Sequence, residues 1–479
     1  MTEAALSIPG LLTALLLPWA VGYAAARLLI ARGSQGRAAI LIGLGYFLGM
    51  GLCTLLLVAN NAVGLPMVFT GLAAALVLLG LLLTGLARRL AQHPMPVLPG
   101  TPRAVGPGQL LFMLALLLLL GWRYLTLLGI IMEQPLFGWD AMMNWAPKAV
   151  VWLHHGELTD FVAPPQWLLE ATASGPYTLG NAAASNYPEM VPLIFYWHML
   201  GAGTGEHPLL HLPWLLAAVN LGLVLYGFLR MRGISPPICV LACYLLLSLP
   251  YLNIHTVIAG YADLWLTVMF SVGVMALCEW ERYRHRGMLV ITFLAALAST
   301  QLKNPGMILG LILLLAVIRV WLSLAWRTEL VMVVIAMSAI VTGFALGFSF
   351  QAPGLGTISL RPETFQIGMF GPYELGFHAE SAQPVMRSLW TMAHWHLLWY
   401  ALAGALLLCL VRMSAWSRPS TLSLILIAMF LFYFFVFFVS RYYEHAVWFI
   451  TLNRAVLYVI PSLVFWLLTY WIPEKDHSR

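Results

Sequence analysis

The chain has 479 residues, of which 61% are hydrophobic and only 9% charged, and its mean hydropathy is +0.88. Soluble domains carry about 25% charged residues, so this balance excludes a soluble globular protein and points to a polytopic membrane protein. The net charge of +6 is small, and the basic residues are scattered at the ends of apolar stretches, where they read as topology signals and not as a nucleic-acid surface.

Taken in order, apolar segments that can cross a bilayer fall near 7–30, 38–60, 62–86, 108–131, 208–229, 236–252, 256–280, 288–302, 305–323, 329–350, 386–412, 420–440 and 455–472. The pattern predicts about thirteen crossings at about 20 residues each. Lipid cannot satisfy open backbone groups, so these spans must be helical. The expected fold class is all-α, a transmembrane helical bundle with juxtamembrane helices on its outer face. Arg27 is the first positive charge, so the first stretch reads as a retained span and not as a signal peptide. The first three spans are almost free of polar residues and read as a scaffold, 1–107, appended to a module over 108–479.

Orientation follows from the cations. Arg27, Arg32 and Arg37 mark one loop, and Arg88, Arg89 and Arg103 the next. Arg230 with Arg232, then Arg282, Arg284 and Arg286, then Arg319 with Arg327, then Arg412 with Arg418 mark the rest. Alternation through thirteen spans puts them all on the inner face, with the N-terminus outside and the tail 473–479 inside. Counting 187–203 as a span spoils the alternation. It reads as a helix that lies in the outer interface or dips in and returns, with a short true span as the alternative.

Three outer loops result. The first, 132–207, holds Asp140, Lys148, Asp160, Glu170 and Glu189. The second, 351–385, holds Arg361, Glu363, Glu374, His378 and Glu380. The third, 441–454, runs from Arg441 to Arg454. In the first loop Trp139, Trp145, Lys148 and Trp152 recur at roughly helical spacing, which suits a helix lying in the headgroup layer. The five cysteines all fall inside apolar spans and read as packing residues without disulfides.

A few charges stand against these rules. Asp140 sits at a membrane exit, Asp263 at the outer end of its span, and Lys303 at an outer turn. Arg441 and Arg454 are the arginines of a short outer loop. Charges near lipid are costly unless paired or wet, and a water-filled cavity at the outer leaflet accounts for all five. Each also has a plainer role. Asp140 can cap a helix beginning at Ala141. Asp263 can be an N-cap or pair with Lys303 as structural glue. Lys303 can snorkel, and the two arginines can hold ordinary headgroups.

Glycosyl transfer from a lipid phosphate needs cations at the outer headgroup plane to neutralise the phosphate. It also needs a carboxylate to take the acceptor's proton. Asp140 and Asp263 are the candidate catalytic acids. Lys148, Lys303, Arg361, Arg441 and Arg454 are the candidate substrate-binding cations. No spacing in the sequence defines a metal site, although two separated acids can hold one divalent ion.

The ordered motifs resemble those of the polytopic glycosyltransferases of the GT-C fold. The similarity is greatest to the bacterial branch of lipid A aminoarabinose, lipopolysaccharide core and protein O-mannosyl transferases. Phe137-Gly-Trp-Asp140 resembles the family's acid at the start of the first outer loop. Tyr187-Pro-Glu-Met-Val-Pro-Leu193 is similar to its proline-containing helix. Ala259-Gly-Tyr-Ala-Asp263 resembles its second acid, Leu302-Lys303-Asn-Pro-Gly306 its lysine turn, and Asn453-Arg454 its last-loop arginine, with Pro461 following. The resemblance covers about residues 108 to 470. It implies a sugar donor linked to polyprenyl phosphate and a lipid, glycan or protein acceptor on the periplasmic side of a bacterial inner membrane. Many relatives carry paired acids in the first loop, whereas Ala141 follows Asp140 here. Some relatives need a divalent metal and others do not. Two rival readings remain: a transporter or flippase of a lipid-linked saccharide, and a non-catalytic subunit of an envelope-assembly complex.

Overall fold

The computed structural model describes residues 6–90, 105–162, 164–169, 175–177, 181–323, 326–352, 356–368, 370–411 and 420–470. Arg103, Glu170, Arg412, Arg418 and the tail 473–479 lie outside the described residues. The chain divides into two compact units, Met1–Leu314 with Ile460–Arg479, and Leu315–Val459.

The first unit begins with α1 (Ile8–Leu29), α2 (Arg37–Ala62), α3 (Phe69–Arg89) and α4 (Pro107–Glu133). After a π-helical turn at Ala141–Trp145 come α5 (Ala146–His155), α6 (Pro164–Leu169) and α7 (Met190–Ala202). Next are α8 (Leu212–Met231), α9 (Pro236–Leu247), α10 (Pro250–Val257), α11 (Ala262–Tyr283), α12 (Arg286–Leu302) and α13 (Pro305–Leu322).

The apolar window of α11 is buried throughout, which makes it the axis of this unit. A helix that is apolar on every face belongs in an interior. Trp265 on α11 lies edge-on to Trp214 of α8 and stacks on Tyr46 of α2. Tyr46 in turn donates its hydroxyl to Pro213 O at 3.0 Å. The N-terminal helices are therefore built into the core of this unit, since α1 and α2 also pack against α7 and α2 against α8.

Helix α7 corrects one expectation. It covers 13 residues, about 20 Å, which is short of a 30 Å hydrocarbon layer. Nearly all of its residues are buried, and Trp197 donates its indole N–H to Ala14 O at 2.8 Å. It is a core helix held by its neighbours, so it does not lie flat in the interface, while its length and burial agree with the other expected form, a helix that dips in and returns. The expected headgroup helix is corrected in the same way. Trp139 is exposed, whereas Trp152 of α5 is buried against Tyr196 of α7 and Trp145, in the π-helical turn before α5, is buried beside Tyr187.

The second unit adds α14 (Trp326–Leu346), α15 (Ala382–Met386), α16 (Leu398–Val411), α17 (Thr421–Phe434), α18 (Tyr443–Val447) and α19 (Leu452–Thr469), the last ending in the first unit. Between α14 and α15 the expected outer loop 351–385 is in part a four-stranded antiparallel meander. Its strands are β1 (Phe348–Ala352), β2 (Gly356–Arg361), β3 (Thr364–Ile367) and β4 (Phe370–Glu374). Phe350 faces Ile358, Leu360 faces Phe365, and Phe365 faces Tyr373. The chain is 77% helical, so the all-α expectation holds apart from this sheet.

Ten helices among the described residues are long and apolar enough to cross a membrane, and the pair α9–α10, bent by 64°, makes an eleventh if it is one span. The two remaining expected spans are shorter, with 17 residues in α12 and 14 in α16. The expected span 386–412 is interrupted, because Arg387–Thr391 is a π-helical turn and α16 starts only at Leu398.

Candidate functional site

Three motifs that are far apart in sequence meet in the first unit. Lys303 lies in extended backbone between α12 and α13. Its ammonium donates to Asp263 Oδ1 at 2.9 Å and lies 3.9 Å from Asp140 Oδ2. Asp263 is fully buried in the first turn of α11, where a carboxylate also meets the favourable end of the helix dipole. Asp140 is buried except for its edge, and Lys303 is half-buried. At 3.9 Å two unit charges interact by about 4 kcal/mol at an effective dielectric of about 20, so the one ammonium attracts both acids.

The backbone that carries the acids is interlocked. The Asp140 N–H donates to the Tyr261 hydroxyl at 3.3 Å, and Trp214 donates its indole N–H to Tyr261 O at 2.8 Å. Gly138 lies so close to the Tyr261 ring that a Cβ would fall 2.4 Å from it. Gly260 has φ +87°, and a Cβ there would fall 2.5 Å from the Ala141 methyl. Glycine is required at both positions by close approach, and at the second also by backbone conformation. The two motifs Phe-Gly-Trp-Asp and Ala-Gly-Tyr-Ala-Asp are thus the two halves of one contact.

Two plainer roles can now be judged. Asp140 makes no capping hydrogen bond with its side chain, and its backbone is already helical, so the cap does not account for it. Asp263 is paired with Lys303, and the N-cap of α11 is Tyr261. Among the described residues Asp263 and Asp140 are the only acids paired with Lys303. An ammonium has three N–H donors, and Asp263 takes one, so Lys303 keeps donors for a ligand.

Lys148 is placed differently from the expectation. Its ammonium is buried and donates to Ser185 O at 3.1 Å, Tyr187 O at 3.3 Å and Glu189 Oε1 at 3.3 Å. All three donors are thereby used within the protein. Burial pushes its pKa down, and Glu189 opposes that shift. It ties the loop before α7 to α5.

Arg361, Arg441 and Arg454 belong to the second unit. Arg361 is exposed at the end of β2, where the chain turns into β3. Arg441 lies over the rings of Tyr373 and Tyr442 at 5.8 and 5.9 Å. The Tyr373 phenol is pushed up to about 12 by burial and by Tyr442, against the pull of Arg441. Arg454 and Arg441 both act on His445, whose pKa is lowered first by burial; Glu444 opposes, and the two arginines add to the lowering. These two arginines share one electrostatic neighbourhood.

Sequence reasoning passed over Tyr261, although it stands inside the motif that carries Asp263. A polar-tipped aromatic next to an acid at a span end was the available signal. It also passed over Arg123, the one charged residue of α4 before Glu133. A narrow cleft borders the site, lined by Ile131, Gln134, Gly138, His211, Val257 and Ile258 among others. Among the described residues no group of three or more His, Cys, Asp and Glu is placed to hold a metal ion, and the Lys303 ammonium takes the place between the two carboxylates.

Compared with known proteins, the chain matches no family model, no curated protein and no solved structure.

Proposed function

We propose that this protein is a glycosyltransferase of a bacterial inner membrane, with its site on the periplasmic side. It moves a sugar from a polyprenyl-phosphate donor to a hydroxyl of a lipid, glycan or protein. The observation that carries the reading is the meeting of Asp140, Lys303 and Asp263 at one largely buried point beside a narrow cleft. In this scheme Asp140 takes the proton from the acceptor hydroxyl as the new bond to the sugar's anomeric carbon forms. The bond from that carbon to the phosphate oxygen breaks, and polyprenyl phosphate leaves. Lys303 stabilises the charge left on that phosphate. Asp263, buried and hydrogen-bonded to Lys303, is a positioning residue that fixes the ammonium. The scheme uses residues of the first unit alone, and GT-C is the family whose motifs the chain resembles.

The test compares lipid-linked sugars and envelope glycans by mass spectrometry in cells with the protein, without it, and with Asp140→Asn. The expected result is a polyprenyl-phosphate sugar that accumulates equally in the last two, together with loss of that sugar from one envelope product. Unchanged lipids and glycans in the deletion would overturn the reading.

One observation favours a transporter as the second reading. The α9–α10 pair is broken by 64°, and its end leads directly to Tyr261 and Asp263. Broken helices beside buried charges are a feature of alternating-access proteins. A transporter relocates the lipid-linked sugar without releasing polyprenyl phosphate, so the free lipid phosphate separates the two.

A further inference from the structure

Arg123 is the least expected charge in the molecule. It sits on α4 about ten residues, or ~15 Å, before Glu133, in a helix apolar enough to cross a membrane. It is exposed on that helix, next to Trp122, which is 74% exposed. A cation facing hydrocarbon is costly and marks function by default. Its Nε donates to Asn253 Oδ1 at 2.6 Å. Among the described residues this is the one hydrogen bond that the guanidinium makes, and four of its five N–H donors remain.

Asn253 is itself fixed. Its amide donates to Leu247 O at 2.6 Å and Leu249 O at 3.0 Å, carbonyls at the break between α9 and α10. The break thus holds an amide oxygen still, and that oxygen aims a guanidinium outward. From Asn253 to Val257 α10 rises by only about 6 Å, and Val257 already lines the cleft together with Ile131 of α4 and Gly138. The seam between α4 and α10 therefore runs from Arg123 to the backbone next to Asp140. Its lining is apolar at Ile131, Val257 and Ile258 and also includes Gln134 and His211.

We propose that Arg123, held by Asn253, is an entry contact that binds the phosphate of a polyisoprenyl phosphate lipid before it reaches Lys303, and that the α4–α10 seam is where this lipid enters the site. A planar guanidinium with four N–H donors presents the fork that a phosphate accepts, and an isoprenoid chain suits the apolar walls. The inference rests on the transferase reading for its substrate class.

Full-length protein in phosphatidylcholine nanodiscs is titrated with a radiolabelled long-chain polyisoprenyl monophosphate. Polyisoprenol, phosphatidic acid and inorganic phosphate serve as competitors. Saturable binding is expected, weakened tenfold or more by Arg123→Gln and less by Arg123→Lys. None of the three competitors should displace the label at equal concentration. Wild-type affinity in Arg123→Gln overturns the proposal. If Arg123→Gln does not fold, wild-type affinity in Arg123→Lys overturns it, because a lysine lacks the fork. Displacement by polyisoprenol shows that the phosphate is not read, displacement by phosphatidic acid shows a general headgroup anchor, and displacement by inorganic phosphate shows an aqueous anion site; each also overturns it. Binding needs no turnover, so an inactive protein that still binds through Arg123 refutes the transferase reading and leaves this site standing.

Discussion

The two ends of α11 carry the same kind of residue in different settings. At its start Asp263 pairs with Lys303, and a second acid, Asp140, lies 3.9 Å from the same ammonium. Near its end Glu279 pairs, among the described residues, with Arg232 alone, and the Arg232 guanidinium lies over the ring of Phe465. Glu279 is fully buried and only about a tenth of the Arg232 side chain is exposed, whereas Lys303 and Asp140 keep 17% and 13%. One end is a closed, neutral pair. The other sets two acids about one ammonium at an open edge. A buried pair that balances itself is structural, because losing either partner strands a charge. At an open edge a carboxylate can take a proton, and an ammonium with donors to spare can meet a phosphate.

The sharpest way to break this comparison is to ask which end faces out. In a Cys409→Ser background, a cysteine at Ala183 should react with an impermeant thiol reagent added to spheroplasts. A cysteine at Arg286, beside the far end of α11, should react only after lysis. Reversed labelling would put the open cluster on the wrong side of the membrane.

Next in size is the closed pair. Arg232→Ala should destabilise the protein by about 3–5 kcal/mol, since it leaves Glu279 buried and uncompensated. Thermal melting in detergent reads this, and turnover per folded molecule should be unchanged. A loss of turnover at full stability would make the two ends alike. Lys303→Met also strands the buried Asp263 and lowers stability, but per folded molecule it should in addition weaken donor use by tenfold or more, as removing a charged hydrogen bond costs roughly 1.5–3 kcal/mol. Lys303→Arg should recover part of it. Donor titrations that match wild type in Lys303→Met would remove the phosphate role.

The smallest effects concern support. Gly260→Ala should cost somewhat over 1 kcal/mol, from a positive φ and a methyl pressed on Ala141. Lys148→Met should cost about 1–3 kcal/mol through the two carbonyls that lose its ammonium, with donor titrations unchanged. A selective loss of donor affinity in Lys148→Met would return Lys148 to the phosphate site.

What was legible in the sequence depended on which forces act locally. Apolar length announces a helix wherever it occurs, so every expected span carries helix. The meeting of Asp140, Asp263 and Lys303 was legible because charge at a span end has few tolerable positions. Burial was not legible. Trp145, Lys148 and Trp152 have the composition of an interfacial helix, and only the packing of α7 decides that they face inward. The meander was written in the alternation of Thr357, Ile358, Ser359, Leu360 and Arg361, then Phe365, Gln366 and Ile367. It was hidden by its place between two apolar helices, where a loop is the ordinary expectation. Arg123 was hidden because one cation does not stop a long apolar stretch from reading as a span.

The central claim is tested most directly by the release of free polyprenyl monophosphate. Purified protein in proteoliposomes is given the lipid extract of a strain that lacks it, and the lipid phosphate is measured over time. Wild type should release it in step with a glycosylated product, and Asp140→Asn should do so about 100-fold more slowly while remaining folded. Release by Asp140→Asn at the wild-type rate, or no release by wild type, would contradict the account.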